Sequence, residues 1–161
     1  MSNKILLPLL LTLGFVGCAS VPKADLTTTQ QQRTIQTPQA GNAGIFVYRS
    51  NNVIGSALKK DIWIDGECLG ETARGVYFYK EVEGGKPHTV STESEFSPNH
   101  LKVNTEIGKN YYIQQYIKPG VFVGGANLKL VDETEGKTAV EKYSLAVAGK
   151  CSKPTILLPK S

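Results

Sequence analysis

The chain has 161 residues, of which 18 are basic and 14 acidic, so its formal net charge is +4. This length suits one domain of ordinary size. The lysines are scattered along the chain and no nucleic-acid-binding module is recognisable, so nucleic acid is excluded as the expected partner.

The first part of the chain has the organisation of a secretory signal. Lys4 supplies a positive charge, and residues 5–16 form an uncharged, mainly apolar run. A helix that crosses a membrane needs about 20 apolar residues, so this run is too short to serve as one. We therefore predict that residues 1–17 are a signal peptide.

The apolar run ends in Phe15-Val16-Gly17-Cys18, which resembles the lipobox of bacterial lipoproteins. That family has an aliphatic residue three positions before the cysteine, and Phe15 departs from this pattern. The resemblance implies cleavage between Gly17 and Cys18 and acyl chains on Cys18. Two or more chains anchor a protein stably in a membrane, whereas one chain binds only marginally. The alternative is an ordinary secreted protein whose apolar run ends near a cysteine.

The residue after the cysteine bears on the membrane to which such a protein is sorted. In Gram-negative lipoproteins, an Asp at this position usually marks retention in the inner membrane. Ala19 stands there instead. The resemblance therefore implies an outer-membrane protein that faces the periplasm and contacts the membrane through the acyl chains on Cys18.

Residues 18–43 are predicted to be the acylated cysteine followed by a flexible linker. They are rich in Thr, Gln, Ser and Pro, with the run TTTQQQ at 27–32, and contain few large apolar side chains. Such a segment cannot bury enough apolar surface to offset the entropy lost on ordering.

From residue 44 onward, short β-branched and aromatic runs alternate with Gly, Pro, Asn and Asp. Runs that recur about every ten residues are typical of an all-β sandwich or barrel. Asp65-Gly66 lies between two of them and supplies the positive φ angles of a two-residue hairpin turn. We predict strands at 45–49, 62–65, 67–69, 76–82, 88–93, 100–106, 111–117 and 127–132.

The C-terminal part of the chain has a different pattern. Val140, Tyr143 and Leu145 fall roughly on a helical period, which predicts one short helix, although a strand there stays an alternative. The aliphatic run at 156–158 would be costly to expose, so we expect the tail to dock on the sheet. Residues 44–161 are thus predicted to form an all-β domain, a small antiparallel β-sandwich of about seven to eight strands with this helix and tail.

Cys68 and Cys151 remain as an even pair once Cys18 is assigned to lipid. Disulfides persist in oxidising compartments such as the periplasm, so we predict a bond between them. A loop of this length would be stabilised by roughly 2–4 kcal/mol. The alternative is two free thiols, because spacing alone does not place two Cα atoms within reach.

Six short motifs follow one another across the strand region. They are GIFVYR at 44–49, GSA at 55–57, IDG at 64–66, LG at 69–70, GVY at 75–77 and GKNYYI at 108–113. In this order they resemble a family of bacterial lipoproteins catalogued as domain of unknown function 2846. Residues 64–90 also resemble the hairpin of PEGA domains, which are surface modules. Both resemblances imply a β-sandwich at the cell envelope, and neither supplies a catalytic motif.

Candidate catalytic groups are few. His88 and His100 are the two imidazoles of the chain, and each stands near a loop-to-strand junction. Nucleophilic catalysis needs a base beside the nucleophile and a third group that orients the base, and the sequence indicates no such set. The spacing of His, Cys and carboxylates also predicts no metal site. We therefore expect no enzyme activity and no cofactor.

Trp63, Tyr112 and Tyr116 are candidates for a binding surface. Tyr112 and Tyr116 share one face of a predicted strand with Gln114, and aromatic rings beside amides can stack on sugars or form protein contacts. Packing within the sheet is the competing interpretation. The expected function is a non-catalytic binding or structural accessory module of the envelope, whose partner is an envelope protein or cell-wall glycan. The alternatives are a glycan- or small-ligand-binding protein that uses these aromatics, and an envelope enzyme.

Overall fold

The computed structural model describes residues 18–33 and 37–159, which form two packed β-sheets and two short helices. The predicted signal peptide, with the Gly17 side of its cleavage site, lies outside the described residues. In chain order the elements are α1 (Leu26–Arg33), β1 (Asn42–Arg49), β2 (Lys60–Ile64), β3 (Glu67–Thr72), β4 (Val76–Glu83), β5 (Pro87–Thr92), β6 (Asn99–Asn104), β7 (Asn110–Lys118), β8 (Gly125–Val131), α2 (Glu133–Lys142) and β9 (Ser144–Leu145). The all-β, sandwich-like fold is confirmed, and all eight predicted strands are present.

The two sheets contain five and four strands. Their orders are β8-β7-β1-β4-β9 and β3-β2-β5-β6. Most pairs are antiparallel, but β1 pairs with β7 and β4 pairs with β9 in parallel. At the β2–β3 turn, Asp65 and Gly66 have φ angles of 52° and 86°, as the hairpin prediction requires.

The strand β1 is buried on both faces. Ile45 and Val47 belong to the core between the sheets, whereas Phe46 and Tyr48 belong to a second cluster on the outer face of the five-stranded sheet. This double burial explains why the strand is apolar at consecutive positions, since a half-exposed strand would alternate with polar residues.

The helix α2 covers this outer face. Asp132 caps its N-terminus by accepting a hydrogen bond from the backbone N–H of Glu135 at 2.8 Å. Gly136 faces the sheet, and a Cβ added there would lie 2.1 Å from Cγ of Tyr112. The predicted short C-terminal helix is therefore present and packs closely on an aromatic ring. It ends at Lys142, however, so of the three residues that predicted it only Val140 is helical, while Tyr143 is the C-cap and Leu145 lies in β9.

The C-terminal tail docks on the four-stranded sheet, as expected. A disulfide joins Cys68 to Cys151, with their Cα atoms 5.9 Å apart, and confirms the predicted bond. The indole Nε1 of Trp63 donates to the carbonyl of Lys153 at 2.9 Å. The aliphatic run is only partly covered, because Leu157 remains exposed.

Residues 18–33 differ from the predicted flexible linker. The backbone N–H of Ala24 donates to Leu145 and that of Val147 donates to Pro22, at 2.9 and 3.0 Å. Val21 is buried in the core, and the Tyr77 hydroxyl donates to the carbonyl of Thr29 in α1 at 3.1 Å. The segment is ordered because residues 145–147 offer it backbone partners, which composition alone does not reveal.

Candidate functional site around Cys18

Cys18 is exposed, and it is the one cysteine of the described residues outside the disulfide. The next residue is already bound to the domain, because the backbone N–H of Ala19 donates to the carbonyl of Ser56 at 3.0 Å. A group attached to Cys18 would therefore leave the protein beside the loop between β1 and β2.

A cleft of about 660 Å³ opens beside Cys18. It lies between the N-terminal segment, the turn from β3 to β4 and the C-terminal end of α2. The side chains that line it include three cations, Lys23, Arg74 and Lys142, and no carboxylate. This lining gives the cleft a positive potential, which suits an anionic group such as a phosphate.

Arg49 holds the loop that accepts the Ala19 hydrogen bond. Its guanidinium is buried and donates to the carbonyls of Leu58, at 2.7 Å, and Gly55. Burial lowers the pKa of Arg49 to about 10, so the group remains charged at neutral pH. Two apolar side chains of this fixed loop, Val53 and Ile54, are exposed.

Glu95 holds a second loop, residues 119–124, which connects β7 to β8. Its carboxylate accepts the backbone N–H groups of Val121, Phe122 and Val123, with distances of 2.7 Å for the first and 3.0 Å for the last. These bonds, above all the one from Phe122, hold the pKa of Glu95 below its ordinary value. The side chains of the three loop residues nevertheless point into solvent, since all are exposed.

The structure corrects the predicted aromatic binding surface. Trp63 is only 2 % exposed and Tyr112 only 3 %, because the C-terminal tail covers the first and α2 the second. Tyr116 is 38 % exposed. Burial in an apolar site raises the pKa of Tyr112 to about 12. Two of the three proposed surface aromatics are thus packing residues.

His88 occupies a structural position. Its Nε2 lies 2.8 Å from the carbonyl oxygen of Glu83, and its Nδ1 lies 2.6 Å from a carboxylate oxygen of Asp65. A carbonyl only accepts, so Nε2 carries a proton. Because both ring nitrogens are hydrogen-bonded, this imidazole connects the β2–β3 turn to the end of β4.

His100 lies beside a serine. Its Nδ1 is 2.8 Å from Oγ of Ser91, the residue directly opposite on β5. Ser91 is fully buried. Within residues 18–33 and 37–159, no carboxylate hydrogen-bonds the other ring nitrogen, so the pair lacks the third group of a nucleophilic constellation.

The described part of the chain contains no group of three or more His, Cys, Asp or Glu residues placed to hold a metal ion. None of the helices in that part is long and apolar enough to cross a membrane.

Several residues around Cys18 were not predicted. Arg49 ends a strongly apolar strand, and the apolar run at 121–123 stands between glycines, so both signals were visible in the sequence. Their position at the same end of the sandwich as Cys18 was not visible, because it depends on the parallel pairing of β1 with β7.

These features define a small two-sheet protein with an exposed cysteine beside a cationic cleft. The chain belongs to the family described as "Protein of unknown function (DUF2846)", whose model matches residues 39–126. It is also 50 % identical over 132 residues to an uncharacterized protein of Haemophilus influenzae, covering 82 % of this chain and 77 % of that protein. The expected family is therefore confirmed, and the PEGA-like character of the hairpin stays a prediction.

Proposed function

We propose that this protein is a lipid-anchored, non-catalytic structural or binding module of the bacterial envelope, attached to the outer membrane through Cys18 and facing the periplasm. The observation that carries the proposal is the position of Cys18. It directly follows a run with the features of a lipoprotein signal, and its side chain is exposed.

Two further observations support the proposal. The lining of the cleft beside Cys18 is cationic, which suits the phosphate groups of a membrane surface. The Cys68–Cys151 disulfide suits an oxidising compartment outside the cytoplasm. The glycan-binding alternative depended mainly on exposed aromatic rings, and Trp63 and Tyr112 are buried.

The test is expression of the full chain in a Gram-negative host, followed by mass spectrometry and membrane fractionation. The N-terminal peptide is expected to begin at Cys18, to carry the mass of acyl chains and to come from the outer-membrane fraction. Cys18→Ala is expected to keep residues 1–17 and to carry no acyl mass. Ser20→Ala serves as a matched control, because it leaves the lipobox-like residues intact.

A second variant tests the sorting part of the proposal. Ala19→Asp is expected to retain the acyl mass but to move the protein to the inner membrane. Normal processing of Cys18→Ala, or a native protein that is soluble in the periplasm, would contradict the anchoring. An Ala19→Asp variant that stays in the outer membrane would contradict only the assigned sorting.

A further inference from the structure

Six exposed apolar side chains lie in three loops, which we call the apolar end. The loops connect β1 to β2, β5 to β6 and β7 to β8. The six residues are Val53, Ile54, Phe96, Val121, Phe122 and Val123, and each is more than half exposed. Exposed apolar residues are common singly, but a group of them marks an interaction surface.

The topology places these loops together. Because β1 and β7 run in parallel, the loops that follow them leave the sheet at the same end. A Cβ added to Gly124 would lie 2.8 Å from Leu58, so these two loops touch. The third loop joins them, because Glu95 accepts the backbone N–H groups of residues 121–123.

Cys18 lies at this same end. Ala19 is hydrogen-bonded to Ser56, which is three residues after Val53 in the first loop. The cationic cleft also opens at this end. Gly75, which lines the cleft, donates its backbone N–H to the carbonyl of Arg49 at 2.9 Å, and Arg49 is the last residue of β1. The attachment point, the cations and the apolar side chains therefore share one end of the sandwich.

The two ends of the sandwich differ in character. At the end where β7 begins, Lys86 pairs with Glu83, the last residue of β4, and Lys109 pairs with Glu106 in the turn before β7, and all four side chains are exposed. Ile107 is exposed in the turn before β7, and Leu157 and Leu158 of the C-terminal tail are exposed beside the β2–β3 turn, which lies at this same end. We call this the polar end because its turns carry these exposed ion pairs. At the apolar end, by contrast, six exposed apolar side chains lie on loops that Arg49 and Glu95 hold by hydrogen bonds.

We propose that the apolar end inserts into the phospholipid bilayer that holds the acyl chains of Cys18, so that the sandwich sits directly on the membrane. This inference rests on the proposed function. The bilayer is the occupant because acyl chains on Cys18 must enter it one residue away from the first loop. Val53, Ile54 and Phe122 would enter the boundary between headgroups and acyl chains, and the cations of the cleft would face lipid phosphates.

The test places a tryptophan at each end of the acylated full-length product. Phe122→Trp and Ile54→Trp report on the apolar end, and Ile107→Trp is the matched control at the polar end. Each protein is reconstituted into vesicles of phosphatidylethanolamine and phosphatidylglycerol, with and without bromine on the acyl chains. The unsubstituted protein gives the baseline, because its single tryptophan, Trp63, is buried.

Both apolar-end reporters are expected to emit at shorter wavelength on vesicles and to be quenched by the brominated lipid. Ile107→Trp and the unsubstituted protein are expected to be unchanged. Equal quenching at both ends, or none at residues 54 and 122, would overturn the inference. A blue shift without bromine quenching would also overturn it, since it indicates a protein contact. The mass of each sample separates the two proposals: a missing acyl mass contradicts the proposed function, and unquenched reporters on acylated protein contradict only the insertion.

Discussion

Glu95 orders a loop although its own side chain is at the surface. Hydrogen bonds from the backbone of residues 121–123 lower its pKa below the ordinary value of 4.5. Because the folded state has the lower pKa, the stabilisation is present above the ordinary pKa and is lost as the pH falls through the lowered value. The loop should therefore be ordered at neutral pH and loosen only in acid.

Glu95→Ala is expected to lower the hydrogen-exchange protection factors of the Val121, Phe122 and Val123 amides at pH 7, because it removes their acceptor. In the native protein the same amides should lose protection below pH 4.5. NMR exchange measures both effects. Glu106→Ala, which removes an exposed carboxylate at the polar end, should leave these amides unchanged. Equal protection in both variants would show that Glu95 does not hold the loop.

Gln115 shows what a sequence pattern misses at the residue scale. It lies in the strand predicted at 111–117, and its side chain is fully buried between the sheets. Its Nε2 donates to Oγ1 of Thr92 at 2.7 Å, and its Oε1 contacts the hydroxyl of Thr72. A polar residue in a strand usually faces solvent, so only the structure reveals this polar link between the two sheets.

At the scale of elements, α2 depends on a glycine that helix propensity disfavours. Glycine in a helix interior costs about 1 kcal/mol relative to alanine. Gly136 is kept at a position where the helix meets the ring of Tyr112 with no room for a Cβ. The close approach buries Ala139 and Val140 against the same aromatic cluster, so packing outweighs propensity here.

Gly136→Ala is therefore expected to destabilise the protein by roughly 1–3 kcal/mol, the usual cost of overpacking, despite the better helix former. Urea unfolding measures the change. Thr138→Ala, at an exposed position of the same helix, should change stability by less than about 0.5 kcal/mol. A Gly136→Ala variant as stable as the native protein would mean that α2 does not pack this tightly on Tyr112.

At the scale of the whole molecule, the pattern of apolar runs and turn residues was sufficient to locate eight strands, the helix after Asp132 and the disulfide. Sheet order was beyond it, because the β1–β7 pairing joins residues far apart in the chain. The sequence also did not predict that residues 18–33 are ordered, since their ordering depends on backbone hydrogen bonds with residues 145–147. Cys18 was visible as a candidate site. The cations and exposed apolar side chains at its end of the sandwich were not, because they come from segments far apart in the sequence.

The disulfide ties the end of the chain to the four-stranded sheet across a separation of 83 residues. The tail that it holds covers the single tryptophan, and the backbone N–H and hydroxyl of Ser152 both donate to Asp61. Replacing both cysteines, Cys68→Ala with Cys151→Ala, is expected to cost about 2–5 kcal/mol of stability. It should also release the tail and shift Trp63 emission to longer wavelength.

Thermal unfolding and tryptophan fluorescence measure the two effects separately. Reduction of the native protein should reproduce both, since it breaks the same bond without changing a side chain. Leu157→Ala is the matched control, because this residue lies in the tail but is 94 % exposed and should alter neither property. If the emission of Trp63 stays unchanged while stability falls, the hydrogen bonds from Ser152 to Asp61 and from Trp63 to the carbonyl of Lys153 hold the tail without the disulfide. The bond would then act mainly by restricting the unfolded chain.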